Sequence, residues 1–211
     1  MSAFGPALFL CALAFGWPVF EAAASGLVSA RLAERAGWLH RLSPWLRNLG
    51  LPYIALVLGA VAARDMGLRG HTLLDLGLGL LAAAGSVALG WRLQPAQAWP
   101  SGAQDALDEV RWGLYRALVW GWSGSLLIAL VVALATSLVE RALERAIKIG
   151  TLRLEPDDRT WLVRTLTSTA MFAAGHNLWI NVLARLAVPA GRDVSRLWRT
   201  LTAGPPAAHR G

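Results

Sequence analysis

Charged residues are scarce in this chain of 211 residues: they make up 16% of it, against roughly 25% in an average soluble globular domain. Cysteine is nearly absent, and the single Cys11 excludes both an internal disulfide and a thiolate metal cluster. Hydrophobic residues account for 55% of the chain, and the mean hydropathy is +0.46. This composition is untypical of a water-soluble domain and predicts an integral membrane protein.

Acidic residues are outnumbered by basic ones, which gives a net charge of +7 and a pI of about 11.1. The arginines are scattered through short connections between apolar runs, which is typical of topology signals in membrane proteins. No basic stripe with interleaved aromatic residues is present, so we expect a lipid bilayer and no nucleic acid as partner. The arginine bias and the short loops favour a prokaryotic cytoplasmic membrane.

Apolar runs recur along the chain and predict one transmembrane helical domain over residues 1–203, followed by a disordered tail at residues 204–211. The first run, residues 3–30, has no Lys or Arg before it and is too long for a cleaved signal peptide. Two further runs, residues 49–63 and 72–91, are each able to cross a bilayer, the former only with its flanking residues.

The distribution of arginine divides the remaining apolar stretches, because positive segments stay on the cytoplasmic side. One span over residues 113–139 would leave the basic segment 140–159 outside, whereas a break at residues 121–124 returns that segment to the cytoplasm. Residues 175–177 interrupt the last apolar stretch in the same way. The sequence therefore predicts an all-α, polytopic transmembrane bundle of six or seven helices, with the N-terminus outside and the C-terminal tail cytoplasmic.

The helix predicted after residue 104 begins with charged residues and continues into an apolar segment. Asp105, Glu109, Trp112 and Arg116 follow spacings of four, three and four residues, so they share one helix face. An ionisable group at membrane depth costs roughly 2.5 to 3.5 kcal/mol and usually faces a protein interior. One interpretation is a carboxylate that activates water or holds a metal, oriented by the arginine. The other is a helix end in water, from which only Arg116 snorkels.

Glu140 and His176 are further candidates for the same site. Glu140 directly follows an apolar run and is either part of a solvated helix end or buried. His176 is the only histidine within an apolar stretch, and with Glu109, Glu140, Asn177 and Asn181 it could hold a metal. The alternative is a helix-terminal histidine satisfied by backbone or water. No phosphate loop, Ser/His/Asp order or HExxH motif supports nucleophilic catalysis.

Three passages share motifs with one known family. Residues 51–70 end in an R-x-x-G-L turn, residues 108–116 contain an acidic pair followed by an arginine, and residues 172–186 contain N-L-W. Together they resemble the CAAX protease and bacteriocin-processing (CPBP, also ABI) family of intramembrane proteins. The resemblance implies a helical bundle and, in a proteolytic member, a site with a divalent metal such as zinc. Its catalytic residues would be Glu109, Arg116, Glu140 and His176, and its metal ligands Glu109, Glu140 and His176.

The chain departs from that family at the reactive positions. Asp108 replaces one glutamate, Gly113 stands in the place of the arginine, and Arg185 stands where the last histidine belongs. Residues 135–139 lack the Phe-x-x-x-His pattern and are followed by Glu140. An arginine is a permanent cation and cannot act as a neutral acceptor.

We therefore predict a divergent, non-proteolytic relative without a cofactor. Its role would be that of a scaffold, chaperone or partner-binding subunit that contacts another membrane protein or a membrane-bound peptide. The alternative is an intramembrane metal-dependent endopeptidase of the CPBP type.

Overall fold

The computed structural model describes residues 4–27, 42–93, 102–149 and 156–187, and the regular elements in these ranges are all helical. This confirms the predicted all-α class. The predicted tail at residues 204–211 lies outside the described residues, as do residues 28–41. In chain order the helices are α1 (Phe4–Leu27), α2 (Leu51–Val57, preceded by a π-helical turn, Leu46–Gly50), α3 (Leu73–Leu93), α4 (Gly102–Ser123), α5 (Leu126–Ile149), α6 (Pro156–Gly175) and α7 (Leu178–Ala187).

Local side-chain caps define where two of these helices begin. Before α3, the Asp75 backbone N–H donates to Thr72 Oγ1 at 3.1 Å, and the Thr72 backbone N–H donates to Asp75 Oδ2 at 2.9 Å. Before α7, Asn177 Oδ1 accepts a hydrogen bond from the Ile180 backbone N–H at 3.2 Å. Each cap satisfies backbone donors that have no partner within the helix.

Both helix breaks predicted from the arginine distribution are confirmed. α4 ends at Ser123, Gly124 has a φ of 65°, and α5 begins at Leu126. α6 ends at Gly175, and His176 follows with a φ of 47°. A residue in the left-handed region stops a helix because its backbone cannot continue the right-handed turn.

Three connections, α2–α3, α4–α5 and α6–α7, meet at one end of the molecule, which we call the turn end. The Gly67 carbonyl accepts a hydrogen bond from the Leu178 backbone N–H at 2.9 Å. The rings of Trp120 and His176 lie 5.8 Å apart. These contacts are expected if successive helices run in opposite directions, because the three connections then lie at the same end.

In the part of the chain that the structure describes, two helices are long and apolar enough to cross a membrane, through the stretches Gly5–Ala22 in α1 and Leu126–Ile147 in α5. α3 and α7 contain shorter apolar stretches. The run at residues 49–63 forms less helix than a span requires, because α2 ends at Val57 and turns follow. The helical residues 42–57 extend about 24 Å at about 1.5 Å per residue, short of the roughly 30 Å hydrocarbon core.

α4 lies in the middle of the fold. It packs against α1, α2 and α5, and its residues Leu114 and Tyr115 belong to the main hydrophobic core. The buried ring of Trp112 meets the Trp161 ring of α6 edge-on, at 6.3 Å between centroids. The charged residues of α4 therefore face other helices and not the surroundings.

Candidate functional site

α4 carries two polar faces that contact different helices. Asp105, Glu109 and Arg116 share one face, as their spacing predicts, and contact residues of α6 or α7. Arg111 and Tyr115 contact α5. The Glu109 network consists of Asp105, Glu109, Arg116, Arg164, Ser168, Asn181 and Arg185. The Glu140 network consists of Arg47, Asp108, Arg111, Tyr115, Glu140 and Glu144.

Glu109 has no exposed surface, and both of its carboxylate oxygens have partners. Arg185 Nε donates to Oε1 at 3.1 Å, while Ser168 Oγ and Asn181 Nδ2 donate to Oε2 at 2.6 and 3.4 Å. Arg116 Nη2 lies 3.6 Å from Oε2. Burying a carboxylate costs several kcal/mol, and only nearby opposite charges and well-placed donors offset that cost. The arrangement therefore holds Glu109 as an internal ion-pair partner.

Arginines extend this network towards α6. Arg164 Nη1 donates to both carboxylate oxygens of Asp105, at 2.6 Å for Oδ2. Arg185 Nη2 donates to the backbone carbonyl of Arg164. The guanidinium of Arg116 lies 4.1 Å from the centroid of the Phe172 ring, which is a cation–π contact. The network thus joins α4, α6 and α7 through paired charges.

Glu140 is 2% exposed, so it is buried and not part of a solvated helix end. Arg47 donates to its Oε1, and the Tyr115 hydroxyl donates to the same oxygen at 3.3 Å. Arg111 Nη2 lies 3.6 Å from Oε2. Arg47 also donates through Nη1 to Glu144 Oε1 at 2.6 Å. This second network therefore ties the π-helical turn and α4 to α5.

His176 lies at the turn end, in the break between α6 and α7. Its ring packs against Trp120 and, at 6.4 Å and edge-on, against Phe172. Its Nδ1 is 3.9 Å from Asp75 Oδ1, and its side chain is 36% exposed. At the same end, partial burial raises the pKa of Asp65, and the nearby Arg64 guanidinium opposes that rise. His176 is thus a helix-terminal residue in contact with α3 and α4.

The structure does not bring Glu109, Glu140 and His176 together in the way that the alternative prediction of a metal-dependent peptidase site requires. Within residues 4–27, 42–93, 102–149 and 156–187, no group of three or more acidic, histidine or cysteine side chains is arranged to hold a metal ion. Of the four predicted catalytic residues, only Glu109 and Arg116 lie in one network. Asn177 caps α7, and Asn181 Nδ2 bridges Glu109 and the Ser168 carbonyl at 3.2 Å from the latter.

Arg47, Arg164 and Ser168 contribute to these networks and were not among the predicted site residues. The sequence contains a pattern that could have indicated Arg164 and Ser168. Arg164 and Ser168 are four residues apart, as are Asn181 and Arg185, so each pair lies on one helix face. Nothing in the local sequence around Arg47 indicates that it contacts α5.

Two of the three passages that carry the family resemblance, residues 51–70 and 172–186, contact each other at the turn end. Gly67 belongs to the R-x-x-G-L turn and has a φ of 76°. Its carbonyl receives the hydrogen bond from Leu178, in the N-L-W passage. No protein-family model, curated protein or solved structure matches this chain. Kinship with the CPBP family therefore stays a prediction that depends on the motifs alone.

Proposed function

We propose that this chain is a multi-pass membrane protein with a CPBP-like bundle, and that it acts as a non-proteolytic scaffold or partner-binding subunit. The distribution of side chains supports the membrane part of this proposal. Leu73, Leu81 and Leu127 are 88%, 76% and 72% exposed. The buried residues include six arginines, namely Arg47, Arg111, Arg116, Arg145, Arg164 and Arg185. Charged groups inside and leucines outside are the reverse of the pattern in water-soluble proteins, but they suit a protein whose solvent is lipid.

The arginine distribution supports an orientation. At the turn end, two arginines are balanced by two aspartates (Arg64, Arg69, Asp65 and Asp75). The basic segment 28–41 follows α1, and the basic segment 140–159 includes the end of α5 and the start of α6; these helix ends lie away from the turn end. The positive-inside rule therefore favours an orientation with the turn end outside a prokaryotic cytoplasmic membrane and the opposite helix ends, which carry the basic residues, on the cytoplasmic side.

The single native cysteine makes this orientation testable by labelling. In a Cys11→Ala background, we expect Arg69→Cys and Gly124→Cys to react with a membrane-impermeant maleimide added to intact cells. Ile149→Cys, at the other end of α5, should react only after the membrane is opened. Gel-shift labelling of the three variants measures this. Equal labelling of all three in intact cells, or recovery of the chain without detergent, would contradict the proposed arrangement.

The complete burial of Glu109 is the observation that supports a non-proteolytic role for this protein. A peptidase needs a carboxylate that reaches water or a metal-bound water. Here that carboxylate has no exposed surface and is paired with Arg185, the residue in the position of the family's histidine. Because a guanidinium stays protonated, it offers neither a metal ligand nor a proton acceptor. Glu109 serves instead to join three helices.

A comparison of three purified proteins tests this function. Wild type, Glu109→Gln and His176→Ala are incubated in detergent with a membrane-bound peptide, with and without added zinc. We expect the same background level of cleavage from all three, because the proposed role needs no reacting group. Cleavage by wild type that both variants lose would establish the endopeptidase alternative and end the scaffold proposal.

A further inference from the structure

An apolar groove of about 480 Å³ lies between α2, α4 and α7, apart from both charge networks. Its floor is made of four buried residues, Pro52, Met66, Ala106 and Leu178. The volume is within the range of small-molecule sites, roughly 300 to 1,000 Å³. The floor offers only carbon and sulfur side-chain atoms, so a polar ligand would lose its hydrogen bonds to water and gain none there.

Three half-exposed aromatic residues also line the groove. Trp45, Tyr53 and Trp179 are 51%, 64% and 57% exposed. Tryptophan and tyrosine concentrate where the membrane interior meets the headgroups, because each has an apolar ring and a polar tip. The groove therefore combines an apolar floor with the side chains that ordinarily contact the polar part of a lipid.

The volume decides which apolar occupant the groove can take. A helix is about 10 Å wide, so 480 Å³ would contain only about four residues of one. A partner helix would thus lie over the groove and leave its floor unfilled. A single extended hydrocarbon chain is narrow enough to follow the floor along its length, and it needs no hydrogen-bond partner.

We propose that this groove binds one acyl chain of a membrane phospholipid. The inference depends on the membrane location proposed above, but not on the absence of proteolysis. The chain would lie against Ala106 and Leu178, with its ester region near one of the aromatic residues that line the groove. If the groove recognises the hydrocarbon part of the lipid, binding should depend little on the headgroup, because the lining supplies no charged side chain.

Native mass spectrometry of the full chain in detergent tests the proposal. Dioleoyl phosphatidylglycerol and dioleoyl phosphatidylcholine are titrated separately, and we expect one tightly retained lipid per chain with either. Ala106→Trp fills the floor and should reduce retention roughly tenfold, which corresponds to about 1.4 kcal/mol of binding free energy. Leu81→Trp adds an indole on the exposed face of α3, outside the groove, and should retain lipid like wild type.

A second variant, Val182→Trp, fills the groove from α7 and keeps the test decisive if Ala106→Trp does not fold. Folded wild type that retains no lipid would overturn the inference, as would equal retention by the wild type and a folded groove variant. Retention of phosphatidylglycerol alone would show headgroup recognition and would also overturn it. A chain that is folded in detergent but binds no lipid leaves the proposed membrane function intact, so the two failures are distinguishable.

Discussion

Replacing Arg185 with leucine is expected to lower the free energy of unfolding by about 1.5 to 3 kcal/mol, the usual contribution of a hydrogen bond to a charged group, because Glu109 keeps Arg116 as a second cation. Arg185 is 4% exposed and donates to Glu109, which has no exposed surface. In the variant, Oε1 of Glu109 loses its hydrogen-bond donor, and the Arg164 carbonyl loses the donor that joins α7 to α6. Thermal unfolding in detergent, followed by circular dichroism, measures the loss.

Two further variants show whether the effect comes from the buried pair. Arg141→Leu removes an arginine whose side chain is 34% exposed and whose partner Asp158 keeps a second arginine, Arg145, so its effect should be smaller. The double variant Glu109→Leu with Arg185→Leu also leaves buried Arg116 without its carboxylate, so it should be less stable than Arg185→Leu alone. An Arg185→Leu protein as stable as Arg141→Leu would mean that Glu109 does not depend on this arginine.

Replacing Gly67 with alanine is expected to destabilise the fold by about 2 to 5 kcal/mol, from two sources. The backbone of Gly67 has a φ of 76°, and a Cβ in that left-handed conformation costs about 1 to 2 kcal/mol. The added Cβ would also lie 2.5 Å from the His176 carbonyl oxygen and 2.9 Å from the Leu178 nitrogen. Overpacking of this kind costs about 1 to 3 kcal/mol, because backbone atoms cannot simply rotate away.

Gly59 provides a matched control for that substitution. It has a φ of 66°, close to that of Gly67, but no atom lies within 4 Å of the Cβ it would carry. Gly59→Ala should therefore show only the conformational cost. The difference in unfolding free energy between the two variants measures the contact between the α2–α3 connection and the start of α7. No difference would mean that these segments do not meet as described.

The sequence predicted much of the helical organisation, since the relevant signals are local. The breaks at residues 121–124 and 175–177 were found because the basic segments had to lie on one side of the bundle. The shared face of Asp105, Glu109 and Arg116 followed from helical periodicity alone. The run at residues 49–63 was less predictable, because composition shows how apolar a segment is and not where its helix ends.

The candidate site was only partly predictable. Glu109 and Arg116 were correctly placed together on one helix face, and Glu140 was correctly kept as a residue that could be buried. Glu140 and His176 were grouped with Glu109 because each is an ionisable residue in or next to an apolar stretch, and the described structure separates them. Adjacent positions of α4 point to different neighbours, so Asp108 and Glu109 belong to different networks.

The sequence by itself determined the all-helical class, most helix ends and the polar face of α4, because apolar length, end caps and periodicity act over a few residues. Only the tertiary structure decided that Glu109 meets Arg185, 76 residues away, and that Glu140 meets Arg47, 93 residues away. A buried carboxylate pairs with whichever cation the packing of the helices brings within reach. That choice depends on how the helices are rotated against one another, which local spacing does not determine.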